Sequence, residues 1–374
     1  MPEYFATVAR GLEAIAATEL EKLGAKSVNP EFTGVRFTGD RALLYRINLW
    51  ARTIFRVLMP IADFRCKDAR MLYREIAQIE WEKYLTPEQT LAVKATGKNR
   101  QLNHTHFTAL QVKNAIVDRQ RDHFGARSNV DTENPDLLVN LHVNRDRAVL
   151  SLDTTGNSLH RRGYHPAMGK APLKESLAAA ILEMAEYSPD LPFFDPLCGS
   201  GTLPIEAALK AKNIAPGLFR DRFTLMNFPD FDDELWQQLL TEAEAAENSE
   251  LPAPIYGTDG DGSVLAEARV NALNCGLGHQ IEFRQQEFAQ IEAPGDRGLL
   301  ICNPPYGERL GNAEELGDFY QLIGDILKQR FTGWTAYILS GNKELTKRIG
   351  LRTSRRIPFY NGSLPCTLLK YELY

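Results

Sequence analysis

The chain of 374 residues is long enough for two or three domains, each with its own core. Hydrophobic residues make up 44% and charged residues 24%, and no apolar run approaches the roughly 18 to 20 residues of a membrane span. A formal charge of -5 with a pI near 5.9 excludes a uniformly basic nucleic-acid binder, so any basic contact surface must be local.

Residues 3 to 60 read as strand, helix, strand, helix: YFATVA, then GLEAIAATELEKLG with Leu12, Ile15, Ala16 and Leu20 on one face, then GVRFTG and the helical ALLYRINLWAR. Pro60 is expected to close this small α+β unit. A second unit is expected over 61–156, with a helix from Thr105 to Phe124 and a hairpin of DLLVNLHV and AVLSLDTT around Asn144-Arg145-Asp146-Arg147. A basic linker follows over 157–172. From there to 374, helices alternate with buried strands: FFDPL, PIYGTD, IEFRQ, GLLICN and WTAYILS, closed by the extended pair RTSRRIPFYN and CTLLKYELY. That alternation predicts a parallel sheet covered on both faces, with an antiparallel edge hairpin.

The N-terminus has no basic segment followed by an apolar one, so no signal peptide is visible and the cytoplasm is the expected location. The five cysteines are scattered and form no CxxC pair, which argues against a disulfide framework or a zinc site. His104 and His106 lack a partnering Cys/His cluster, so no metal is expected. Acid is concentrated from Asp230 to Glu250, and base in three stretches: Lys94 to Arg127, His160 to Lys174, and Lys343 to Arg356. Any one such stretch reads as solvated surface; three in an acidic chain point to a polyanion.

DPLCGSGT, Asp195 to Thr202, lies between a strand and a helix, where Gly199 and Gly201 let the backbone turn sharply and approach a ligand. The turn lacks the G-x-G-x-x-G spacing, and no G-x-x-x-x-G-K-[ST] loop occurs in the chain, so NAD and ATP lose ground. Asp195 puts a carboxylate at the strand end for a cationic or amine-bearing ligand. Asp259, ending the next strand in YGTDGDG, is the candidate acceptor for two ribose hydroxyls. Asp261 is a second candidate and also suits a helix cap ahead of Ser263. Glu287 follows the third strand, placed to reach an adenine amino group with Phe288 as an apolar wall; taken alone it is an exposed loop acid.

NPPY, Asn303 to Tyr306, follows the fourth strand and so faces the carboxyl edge of the sheet. Pro304 and Pro305 fix φ and remove two backbone donors, leaving stiffened carbonyls. The Asn303 side-chain oxygen and the Pro304 carbonyl can each accept one hydrogen of a planar NH2 group, exposing a nitrogen lone pair, while Tyr306 offers a flat face to a base. Because the alkylated amine becomes strongly acidic, water can take its proton and no His or Lys base is needed.

At these motifs the C-terminal half resembles class I S-adenosylmethionine-dependent amino-group methyltransferases, with a Rossmann-like seven-stranded sheet. DPLCGSGT stands as the methionine-side loop, in which Pro196, Cys198 and Ser200 join the glycines. GTDGD carries the ribose acid and NPPY the catalytic motif, whose Asn303 also borders the cofactor. The whole chain resembles more closely the bacterial 23S ribosomal RNA guanine-N2 methyltransferases that carry a THUMP domain, through LSLDTTGNSLHRRGYHP, LKESLAAAIL, IAPGLFRDRF and NPPYGERLG. The resemblance implies a ferredoxin-like domain over 1–60, a THUMP domain over 61–156 and a methyltransferase domain over 173–374. Arg161, Arg162, Lys170, Arg352, Arg355 and Arg356 would contact RNA, free or in a ribosomal precursor. Phe359 or Tyr360 would shape the base pocket, and a core role suits them equally.

Three departures stand out. Large members of that family carry a second module, whereas this chain ends at Tyr374 and is expected to perform one methylation. Lys113-Asn114-Ala115 stands where Lys-Asp-Ala is expected, and an insertion from Asn213 to Ala253 delays the second strand. Other readings of the same motif are a guanine of tRNA, adenine-N6 of DNA, a protein glutamine, or a silent RNA-binding assembly factor.

Overall fold

The computed structural model describes residues 1–165, 173–306 and 313–374. The first unit runs β1 (Glu3–Thr7), α1 (Glu13–Lys22), β2 (Lys26–Glu31), β3 (Gly34–Thr38), α2 (Arg41–Trp50) and β4 (Arg56–Arg65), a βαββαβ order. Then come α3 (Ala69–Ala77), β5 (Thr90–Lys98), α4 (Thr105–Phe124), β6 (Asn129–Val130), β7 (Leu137–Asn144) and β8 (Arg147–Asp153). Among the described residues these strands form one eight-stranded sheet, β2-β3-β1-β4-β8-β7-β5-β6.

Two expectations fail here for local reasons. Pro60 does not close the first unit, because β4 runs through it to pair with β8, with a register shift between Pro60 and Ala62. β1 pairs with β4 only as far as Leu58, so the missing N–H of Pro60 interrupts no ladder on that side. The first unit also holds a strand the sequence does not announce: β2, KSVNPE, is exposed along nearly its whole length, has no apolar alternation, and lies at the sheet edge where its proline is tolerated. α4 spans the expected residues, with His104 capping Phe107 N and Gly125 ending the helix in the left-handed region at φ 70°. The hairpin turns on Arg145-Asp146, with Asn144 opposite Arg147.

The last unit contains α5 (Glu175–Met184), β9 (Phe193–Asp195), α6 (Thr202–Ala211), α7 (Asp233–Ala245), β10 (Ile255–Asp259), α8 (Gly262–Asn274), β11 (Ile281–Gln285), β12 (Gly298–Cys302), α9 (Ala313–Arg330), β13 (Trp334–Ser340), α10 (Lys343–Arg348), β14 (Arg355–Asn361) and β15 (Leu364–Glu372). Its strands order as β11-β10-β9-β12-β13-β15-β14. β9 to β13 pair in parallel, and β15 returns antiparallel between β13 and β14. The chain leaves β9 toward β10 on one side and returns to β12 on the other, so the switch point lies between β9 and β12.

One face of this sheet shares a continuous apolar core with the first unit, in which Leu20, Leu44 and Ile47 join Leu177, Ile205 and Leu209. The opposite face packs separately under α9 and α10, around Tyr320, Phe331 and Trp334. The 213–253 insertion supplies α7, whose Trp236 meets Tyr45 of α2 edge to face at 5.7 Å between ring centroids. Tyr45 also accepts a hydrogen bond from Asp232 N at 2.9 Å, and Arg41 pairs with Asp230 at 2.7 Å. The insertion thus ties the first and last units together. No described helix is long and apolar enough to cross a membrane.

Candidate active site

The carboxyl ends of β9, β10, β11 and β12 converge at the switch point, and each carries one of the singled-out motifs. After β9 the backbone turns through Gly199 and Gly201, both in the left-handed region, at φ 52° and 86°. A Cβ on Gly201 would stand 3.0 Å from Ala268 Cβ and 3.2 Å from Phe283 Cζ, so only glycine lets the turn lie this close to α8. The turn is fastened to its neighbours: Cys198 N donates to Thr258 O at 2.9 Å, and Asn271 Nδ2 donates to Ser200 O at 3.0 Å. Pro196 O accepts from Thr258 Oγ1 at 3.3 Å. Gly257 was not singled out from sequence, yet a Cβ there would meet the Phe283 ring at 2.9 Å and Cys198 Sγ at 3.2 Å. A glycine inside a strand is the signal that marks such a close approach.

Asp259 is the hub of this corner. Its Oδ2 accepts from Gly199 N and its Oδ1 from Asp261 N, both at 3.0 Å, and each oxygen keeps a lone pair for a hydroxyl donor. Asp195 is 2% exposed and accepts from Leu197 N at 3.1 Å. Burial first, and then the charge of Asp259, push its carboxyl well above the usual range. A cationic ligand group would favour its ionised form. Asp261 caps α8, accepting from Ser263 N at 2.8 Å and Ser263 Oγ at 2.6 Å, the alternative the sequence left open. Glu287 lies beside Gly260, where a Cβ would be 3.3 Å from either carboxylate oxygen, so it shares the corner with Asp259. Phe288 is buried and meets Phe319 of α9 at 5.3 Å, forming a wall.

β12 delivers Asn303 to the same edge. The Asn303 Oδ1 atom is buried and, among the described residues, has no hydrogen-bond partner. An unpaired buried amide oxygen costs about 1 to 3 kcal/mol, so the fold maintains this acceptor at the expense of stability. Pro304 is buried, and Pro305 and Tyr306 are half-buried. Burial pushes the Tyr306 phenol up to about 12, with the Cys366 thiol and the Asn361 side chain of the β14–β15 hairpin as neighbours. The Tyr306 ring rests on Gly341, where a Cβ would be 3.0 Å from Cδ2 and Cε2.

The expected RNA contacts divide. Arg161, Arg352, Arg355 and Arg356 are exposed, although Arg355 pairs with Glu186 at 3.0 Å. Lys170 lies outside the described residues. Arg162 is the correction: it is 1% exposed, and its guanidinium donates to Glu206, Leu159 O at 2.9 Å and Arg52 O at 2.6 Å, which leaves it no face for a phosphate. Among the described residues no group of three or more His, Cys, Asp or Glu side chains is placed to hold a metal ion.

A seven-stranded sheet of this order, with a glycine turn at the switch point and an acid ending the second strand, defines a class I methyltransferase domain. The chain belongs to the family described as "RMKL-like, methyltransferase domain", whose model matches residues 162–370. Ahead of it, residues 66–153 match the THUMP domain and residues 3–58 the RlmL ferredoxin-like domain. A Synechocystis protein (strain ATCC 27184 / PCC 6803 / Kazusa) named "Putative RNA methyltransferase slr0064" is 62% identical over 99% of this chain and 97% of its own length. The ribosomal RNA large subunit methyltransferase K/L of Syntrophotalea carbinolica is 43% identical over 99% of this chain, which spans only 53% of that relative. The crystal structure of SMU.472, described as "a putative methyltransferase complexed with SAH", superposes with a TM-score of 0.89 at 30% identity, covering 100% of this chain and 98% of that one. The chain is thus a methyltransferase with two further α+β units ahead of its catalytic domain.

Proposed function

We propose that this enzyme transfers a methyl group from S-adenosylmethionine to the exocyclic N2 of a guanine in the RNA of the large ribosomal subunit, the 23S RNA, working in the cytoplasm. The observation that carries the reading is the buried, unpartnered Asn303 Oδ1 at the carboxyl edge of β12, beside the glycine turn. An acceptor held dry and unpaired is suited to a ligand NH group, and the adjoining Pro304 carbonyl can take the second hydrogen of an NH2.

S-adenosylmethionine supplies a sulfonium methyl, whose C–S electron pair stays with sulfur when the methyl leaves. Its ammonium and ribose suit Asp195 and Asp259, and Glu287 suits the adenine amino group; these residues stand together at one corner. Asn303 orients the guanine amine so that its lone pair is free to form the new N–C bond, and the methylated amine releases its proton to water. The half-buried Tyr306 ring gives the base a flat neighbour. A paired guanine cannot present its N2 to Asn303, so the base must leave its stack first. The THUMP match and the K/L relatives' ribosomal RNA name support an RNA substrate, naked or in a precursor of the large subunit.

The test is tritium transfer from labelled S-adenosylmethionine to fractionated cellular RNA, with Asn303→Ala as control. Label in 23S RNA that disappears in the variant supports the proposal. Asn303-dependent label confined to tRNA would move the substrate, and none in any RNA would overturn the reading.

A further inference from the structure

The loops of the first unit reach the substrate side of the last one. Arg10 O accepts a hydrogen bond from Tyr360 N at 3.0 Å, so the segment after β1 caps the free edge of β14. Gly11 makes this approach possible: at φ 89° a Cβ would stand 3.0 Å from Phe359 Cα. The guanidinium carbon of Arg10 lies 4.3 Å from the Tyr360 ring centroid and 5.6 Å from that of Phe32. Phe32, in the turn between β2 and β3, is 75% exposed. Glu13 braces both loops, its Oε2 accepting from Gly11 N at 2.8 Å and its Oε1 from Thr33 N at 3.1 Å. Among the described residues no carboxylate pairs with Arg10.

A flat, exposed ring, a stacked guanidinium and a second ring are thus held by backbone hydrogen bonds rather than left to solvent. Tyr360 precedes Asn361, whose side chain neighbours the Tyr306 phenol; strand alternation turns the two side chains to opposite faces of β14, so the group and the candidate base pocket share this edge strand, one residue apart along it. The Leu364 side chain, 41% exposed, borders Tyr306 at the same rim. An isolated Phe32 would be unremarkable surface, but an unpaired cation between two rings matches a nucleotide, which offers a π face and a phosphate together.

We propose that Phe32, Arg10 and Tyr360 form a stacking shelf for an unpaired nucleotide flanking the extruded target base. This rests on the RNA reading above, and it gives the ferredoxin-like unit a substrate contact of its own. A protein partner would need a wider apolar area than one ring and one leucine.

The test places tryptophan at position 32. Trp81, Trp236 and Trp334 are buried and Trp50 is half-buried, so the new fluorophore in Phe32→Trp reports the shelf. Short single-stranded RNA of mixed sequence should quench its emission, and the duplex of that sequence should quench it far less; adding Arg10→Ala should weaken the quench. In the otherwise native chain, Phe32→Ala should loosen single-stranded RNA about tenfold, Phe32→Trp should restore it, and S-adenosylhomocysteine affinity should not move. No quench, together with Phe32→Ala binding RNA as well as the native chain, overturns the shelf. So does a dimer that sediments in the native chain and is lost in Phe32→Ala with RNA affinity unchanged. Failure of methyl transfer by the native chain would strike the function proposed above, while the quench remains readable without it.

Discussion

Arg162 Nε lies 3.3 Å from Glu206 Oε1, and neither side chain is more than 1% exposed. Glu206 sits on α6, the helix that begins at the glycine turn, and its Oε1 also accepts from Tyr164 OH at 3.0 Å. Arg162 reaches the other way, to the carbonyl of Arg52 just after α2. One buried pair therefore couples the first unit, the linker and the helix that shapes the candidate cofactor loop.

Removing one member of a buried pair leaves the other charge without compensation, which costs about 3 to 5 kcal/mol. Arg162→Ala should lower the urea midpoint accordingly, whereas Arg355→Ala, in an exposed pair, should leave it nearly unchanged. If Arg162→Ala unfolded like the native chain and instead lost RNA affinity, the structural role would be wrong.

Asn303→Ala removes the unpartnered acceptor and with it the orienting contact to the amine proposed above. Methyl transfer should fall by about a hundredfold or more, with S-adenosylhomocysteine binding held within a few-fold. Single-turnover rates beside calorimetric titration separate the two, and a loss confined to cofactor affinity would contradict the assignment.

Asp259 holds Gly199 N and Asp261 N while keeping lone pairs toward the corner. Asp259→Ala should weaken S-adenosylhomocysteine binding by about tenfold to a hundredfold, the value of one or two hydrogen bonds to a charged acceptor. Unchanged binding in a folded variant would place the ribose elsewhere.

Glu175, 6% exposed at the start of α5, has its carboxyl pushed from an ordinary 4.5 up to about 7, chiefly by burial. His165 Nε2 lies 3.8 Å away, but burial pushes that imidazole down, so the contact is no ion pair at neutral pH. The folded state therefore holds the Glu175 proton more tightly than the unfolded chain. Its contribution is complete below about pH 4.5 and is lost as the pH rises through about 7. Glu175→Gln should match the native chain at low pH and exceed it by about 3 kcal/mol above pH 8, in denaturant titrations across that range. A difference that did not grow with pH would refute this sign.

The corner that holds the candidate site was readable along the chain because each part is local. Glycines at positive φ, an acid ending a strand and a double proline act through their own backbone, so DPLCGSGT, Asp259 and NPPY announce themselves within a few residues. Arg162 stands in HRRGYH, which reads as a solvated basic run, and nothing nearby shows that Glu206, 44 residues on, will bury it. The acidic insertion likewise reads as surface until Trp236 is seen against Tyr45. β2 becomes a strand only because β3 offers it an edge.

By itself the sequence determined the order of strands and helices in the last unit, the glycine turn and the proline-stiffened corner, since these follow from periodicity and from the φ angles that glycine and proline impose. Tertiary structure alone decided which charges are buried, that β4 continues through Pro60, and that Arg10 reaches both the Phe32 and the Tyr360 rings at the edge strand β14. Those outcomes depend on desolvation and on contacts between residues far apart in the chain, and neither is encoded in any short stretch of it.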